Sequence, residues 1–177
     1  MKVRPLLVTG FLALLLVLGS VAVLAKSREF KTKLSGRNEV PVRVTGAKGE
    51  AEMEVEKRGD KLHFKLEVED IHNVWMSHFH LGAVGSNGPI VVWLFPRQAP
   101  PPASSIPGET DGKLAEGDIT AADLVGPLAG QPISALFDAI AAGNIYVNVH
   151  TNDFVDPPNT GPGDFPGGEI RGQVHEH

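Results

Sequence analysis

From Glu50 to Glu56 the chain reads Glu-Ala-Glu-Met-Glu-Val-Glu, with every even position acidic and every odd position apolar. Period-two alternation is the mark of a strand that is wet on one face and buried on the other. Arg58-Gly59-Asp60 supplies a tight turn, and Leu62 to Glu69 repeats the alternation on the return. A hairpin with one apolar face must lay that face on another layer. This stretch alone therefore demands an antiparallel β domain with a second sheet or a closed wall opposite it.

The remainder fits that demand. Glu29 to Leu34 alternates as a first strand, and Ser35 to Pro41 breaks it with turn formers. Trp75 to Gly82 reads as a strand with Met76, His78 and His80 on one face and Trp75, Ser77, Phe79 and Leu81 on the other. Ile90 to Leu94 is continuously apolar, as a strand covered on both sides would be. Phe95 to Gly108 is a proline-rich loop. Two short helices are expected next. One starts at Thr120-Ala121-Ala122-Asp123, which resembles a capping box. The other covers about 132–142, where Ile133, Leu136, Phe137 and Ile140 form a core-facing stripe and Gly143 is the stop. Ile145 to His150 is a strand, 151–168 a loop rich in Pro, Gly, Asn and Asp, and Glu169 to Val174 the closing strand. With 20 glycines and 14 prolines the composition suits many short strands joined by turns. The expected fold is all-β with short helical insertions, an antiparallel sandwich or barrel.

Residues 1–25 read as a targeting segment. Lys2 and Arg4 precede an apolar run that ends in Val23-Leu24-Ala25, so the segment is either a signal peptide cleaved after Ala25 or an uncleaved membrane anchor. Either way, a single domain over 26–177 is expected outside the cytoplasm, whether secreted, periplasmic or membrane-anchored. Without Lys2 and Arg4 the formal charge goes from −5 to −7. No basic cluster follows, which argues against nucleic acid as a partner. It also leaves an uncleaved N-terminal segment as the route to a membrane. The absence of cysteine excludes disulfides, thiolate metal sites and a cysteine nucleophile. The sequence holds no Gly-x-Ser-x-Gly elbow, phosphate loop or His-Glu-x-x-His helix.

The chemistry concentrates on histidine. His78 and His80 share a strand face, and His150 ends a later strand on the face of Tyr146 and Asn148. If those strands are neighbours, three imidazoles converge, a donor set that suits copper or zinc. Met76 is a candidate extra ligand, and Asn148, Glu169, Asp153 and Arg171 are candidates to orient the rings. Glu169 and Arg171 could instead pair with each other. The plain alternative is that these histidines hydrogen-bond loops to the sheet and hold no metal. His175 and His177 read as a solvent-exposed terminus.

Several segments, taken in order, resemble one family. They are Leu34-Ser35-Gly36-Arg37-Asn38-Glu39-Val40-Pro41, then Ser77-His78-Phe79-His80-Leu81-Gly82 with Asn87-Gly88-Pro89-Ile90-Val91, then Tyr146-Val147-Asn148-Val149-His150-Thr151, and finally Gly167 to Val174. The set is similar to the CHRD domain, named for its repeats in chordin, over about residues 29–175. Ser77 stands where many members have Ala, and the loop 152–166 is longer than in compact members. The resemblance implies an extracytoplasmic β domain of immunoglobulin-like or barrel-like architecture. In chordin such repeats belong to an extracellular protein that binds growth factors. The histidine pattern is also similar to the copper-site layout of the Greek-key superoxide dismutases, without their disulfide, bridging histidine or zinc-loop signature. Three functions remain open. The first is a non-enzymatic binding module with copper or zinc at His78, His80 and His150. The second is a metal-free protein- or glycan-interaction domain. The third is a copper-dependent redox enzyme.

Overall fold

The computed structural model describes residues 28–176; the targeting segment read over 1–25 and His177 lie outside them. The chain forms β1 (Glu29–Ser35), β2 (Lys48–Val55), β3 (Leu62–His72), β4 (Val74–Leu81), β5 (Ile90–Phe95) and β6 (Glu109–Ile119). After α1 (Ser134–Ala141) come β7 (Ile145–Thr151), β8 (Ile170–Gln173) and the two-residue β9 (His175–Glu176). The strands join one antiparallel sheet in the order β5-β4-β7-β8-β1-β2-β3-β6, with β9 on β1. β5 and β6, at the two ends of that order, approach each other, so the sheet curls into a nearly closed barrel. Across that seam the sequence β7-β4-β5-β6 is the Greek-key order.

The acidic hairpin behaves as its alternation requires. Ala51, Met53 and Val55 are buried while Glu52 and Glu54 face water, and Ala51 and Met53 stand opposite Leu66 and Phe64 of β3. Phe30, Leu34, Phe64, Leu66, Phe79, Val147, Val149 and Ile170 fill the barrel interior from both walls. Each such side chain contributes about 1.5–3 kcal/mol through burial. The stripe Ile133, Leu136, Phe137 and Ile140 is buried in the same core. Gly143 ends the helix at φ +70°, a conformation that Gly adopts without a Cβ penalty. The Thr120–Asp123 capping box forms as expected, but on a 3-10 turn.

The stretch 109–119, which raises no expectation from sequence because it carries two glycines and no clean alternation, is a full strand on the edge of the sheet. It pairs with β3 through two register shifts. The C-terminal His175-Glu176 is solvent-exposed, as expected for His175, and it also pairs with Phe30 and Lys31 of β1.

Loops pack back on the outer wall of β4, β7 and β8, and a few polar side chains fix them. Asn73, at φ 51°, donates through its side chain to the Gly163 carbonyl and accepts from Gly108 N. Glu169 is fully buried. Its Oε1 accepts from Thr45 Oγ1 at 2.5 Å, and its Oε2 accepts from Thr151 Oγ1 at 2.6 Å and Gly163 N at 2.9 Å. One carboxylate thus joins the 36–47 loop, the end of β7 and the 152–169 loop. Replacing it strands buried donors that water cannot reach. Glu169→Ala is expected to lower unfolding stability by about 3 kcal/mol or more, read from the urea midpoint; a change below about 1 kcal/mol would show that the loops are held by other contacts.

Candidate metal centre

Register decides what meets on the outer wall. β4 and β7 place Met76 opposite His150, His78 opposite Asn148 and His80 opposite Tyr146. β8 continues the rows with Arg171 opposite Asn148 and Gln173 opposite Tyr146, while β5 sets Trp93 opposite His78. Residues directly opposite on antiparallel strands share a face. The intervening Ser77, Phe79, Val147 and Val149 turn inward and are fully buried. Loops cover the other face, so His78 is 0%, His80 8% and His150 6% exposed.

The three histidines come together. One ring nitrogen from each lies within 4.8 Å of the others, and His78 Nδ1 stands 3.2 Å from His150 Nε2. Their tautomers follow from their partners. His80 Nδ1 sits 2.8 Å from the Gly88 carbonyl and His150 Nδ1 2.9 Å from the Pro166 carbonyl. A carbonyl only accepts, so both Nδ1 atoms carry the proton and both Nε2 atoms present a lone pair. Nε2 of His78 and of His80 are buried and have no hydrogen-bond partner among the described residues. Aromatic rings hold the cluster: Trp93 meets His78 edge-to-face at 4.3 Å and Tyr146 stacks on His80 at 4.9 Å.

Burial keeps these rings neutral. Loss of hydration pushes His78 down to about 2, with the His150 and His80 charges adding to it. Burial likewise pushes His150 down to about 4, against the pull of the Pro166 carbonyl, and it lowers His80. Neutral imidazole is the form that ligates a metal. Two ligands bound at 2.0–2.1 Å in a tetrahedral site stand about 3.3 Å apart, so three donors within 4.8 Å converge toward one point without yet closing on it, and neutral imidazoles are a donor set that zinc and copper take.

The expected supporting residues divide. Asn148 Oδ1 lies 3.0 Å from His150 Nε2, inside the cluster. Met76 is half-buried beside His150. Glu169 spends its hydrogen bonds on Thr45, Thr151 and Gly163, and so acts on the loops. Arg171 lies 3.4 Å over the Tyr146 ring and donates to Asn87 Oδ1 and to the carbonyls of Ala83 and Ser86. Among the described residues Glu169 and Arg171 do not form an ion pair with each other. Asp153 is exposed, its Oδ1 taken by Val155 N in a local turn.

Glu39 is the residue that sequence reading missed. It stands among turn formers, yet it is 4% exposed and its Oε1 accepts no hydrogen bond. Burial pushes its carboxyl up to about 7, against the opposing pull of Arg171, the Val40 amide, the Asn148 amide and Arg43. Gly168 makes room for it: a Cβ there would meet Glu39 Oε1 at 2.5 Å and Asn148 Nδ2 at 2.8 Å. A carboxylate inside a segment shared with a known family was the available signal, but alternation cannot mark a residue buried from a loop.

Comparison with known proteins gives one family. The model of the CHRD domain matches residues 30–157, which include Glu39, the His-x-His strand and His150. The match stops short of Glu169 and Arg171. No curated protein and no solved structure matches the chain. The matched stretch spans most of the chain and carries the elements that build the histidine cluster, and the protein accordingly belongs to the CHRD domain family.

Proposed function

We infer that this CHRD domain is an exported binding module that holds one copper or zinc ion through His78, His80 and His150. The observation that carries this reading is the pair of buried Nε2 atoms, on His78 and His80, that no protein group satisfies. Leaving a buried acceptor without a donor costs about 1–3 kcal/mol, and a cation facing both lone pairs removes that cost. Carbonyl anchors on the far nitrogens of His80 and His150 are the usual way in which ligating rings are oriented. The basic and apolar pattern of residues 1–25 supports export. Closed rings with little access favour binding over redox turnover by copper.

A second reading has its own support. Val42, Val44, Val84, Phe154 and Val155 are large apolar side chains exposed on the loops. Val42 and Val84 also line a groove of about 760 Å³ with Lys33, Arg37 and Gln173. A metal-free protein- or glycan-interaction domain would use these loops, with the histidines serving as loop anchors.

Elemental analysis of the untagged protein separates the readings. About one copper or zinc per chain is expected for the wild type, and essentially none for the His78→Ala/His80→Ala variant. Equal metal content in both would remove the site.

The metal-free protein also has a defined acid response. The pKa values of His78, His80 and His150 are held below the ordinary 6.5, so below pH 6.5 these groups take up protons in the unfolded chain that they do not take up in the folded one. Stability therefore falls as the pH drops from 6.5 toward 4. The cost is roughly 2 kcal/mol each for His78 and His150 by pH 5. Glu39, raised to about 7, works in the opposite sense over the same range, and so does His63, raised by Asp118 on the exposed wall. His78 and His150 together lose more than Glu39 gains over this range. A urea midpoint that is lower at pH 5 than at pH 7 is expected, and a higher one would contradict neutral burial of the rings.

A further inference from the structure

The amide of Asn148 is placed in a way that a hydrogen bond does not explain. Its Oδ1 lies 3.0 Å from His150 Nε2. His150 has its proton on Nδ1, facing the Pro166 carbonyl. The two atoms that face each other are therefore both lone-pair donors, a repulsive arrangement in a site from which water is excluded. Rotating the amide would exchange this conflict for another while Glu39 is ionised, because Nδ2 now lies beside its carboxyl group. Both groups lie against Gly168 Cα, where a Cβ would meet each of them within 3 Å. Glu39 therefore sets the direction of the amide, and the oxygen is left pointing into the histidine cluster.

A cation resolves the conflict. His150 Nε2 is 3.0 Å from Asn148 Oδ1. That separation is close to the roughly 3.3 Å between two ligands of one tetrahedral ion. Asn148 is 3% exposed and sits in the same cross-strand row as His78, so it is held as rigidly as the histidines.

We propose that Asn148 Oδ1 is the fourth ligand of the histidine centre, which closes the coordination sphere and makes the ion a fixed structural element without a position for substrate. This rests on the metal reading above. Structural sites use four protein ligands, whereas catalytic sites keep one position for water or substrate. Glu39 is the positioning residue: it fixes the amide, and its carboxylate offsets part of the charge of the ion.

Cobalt(II), which reports coordination through its visible spectrum, tests this on the protein as its host exports it. The wild-type cobalt spectrum is expected to be insensitive to azide. Asn148→Ala is expected to bind cobalt about 10–100-fold more weakly and to change its spectrum when azide enters the vacated position. Asn148→Asp, which keeps an oxygen ligand, is expected to restore the insensitivity. A wild-type spectrum that responds to azide overturns the fourth ligand and leaves the three-histidine centre standing. Failure of cobalt or zinc to bind the wild type at all overturns both. Anomalous diffraction from zinc-loaded crystals needs no variant. Oδ1 of Asn148 at about 2.0–2.2 Å from the ion is expected, and an ion held by the three rings with that oxygen beyond about 3 Å refutes the proposal.

Discussion

Glu169 receives hydrogen bonds from Thr45, Thr151 and Gly163, which bring the 36–47 loop to the end of β7 and the loop that follows it. A buried carboxylate survives only if its lone pairs are satisfied, and two of these donors come from the loops that lie over the histidine wall. The dependence runs in both directions. The loops exclude water because Glu169 holds them together, and Glu169 tolerates burial because the loops close on it. The neutrality of the histidines, the raised pKa of Glu39 and the stacking of Arg171 on Tyr146 all follow from that exclusion of water.

Around the cluster, each ring touches groups of a different kind. Trp93 covers the edge of His78 and Tyr146 covers the face of His80. The Gly88 and Pro166 carbonyls hold the outer nitrogens of His80 and His150. Gly88 has no room for a side chain, because a Cβ there would overlap the Leu81 carbonyl. The loop reaches His80 only because glycine occupies that position. Arg171 spans from the Tyr146 face to the carbonyls of the 83–86 turn, and so ties the closing strand to the loop that carries Gly88.

Most of this was legible in the sequence where one residue type repeats with a period. The Glu50–Glu56 alternation, the helix stripe from Ile133 to Ile140, and the shared face of His78 and His80 each follow from strand or helix geometry, whereas the arrival of His150 beside them depended on the β4–β7 pairing. β6 was not legible. An edge strand needs one partner and little apolar surface, so Glu109–Ile119 could carry glycines and charges without losing its pairing. Glu39 was not legible either, because its burial comes from tertiary closure of a loop. Asn148 was visible as a neighbour of the rings, but its proximity to a lone pair on His150 appears only when the tautomers are worked out from the carbonyls.

The wall that holds the histidines draws on both ends of the chain: Glu39 near the start of the domain, His78 and His80 in the middle, Asn148 and His150 later, and Pro166 to Arg171 last. In the order of synthesis, the rings therefore exist long before the segments that dry and orient them. A ribosome-bound chain that lacks β8 has its histidines open to water in place of the buried cluster. Such a chain assembles its pocket only once its last segments have been made and have closed over the wall.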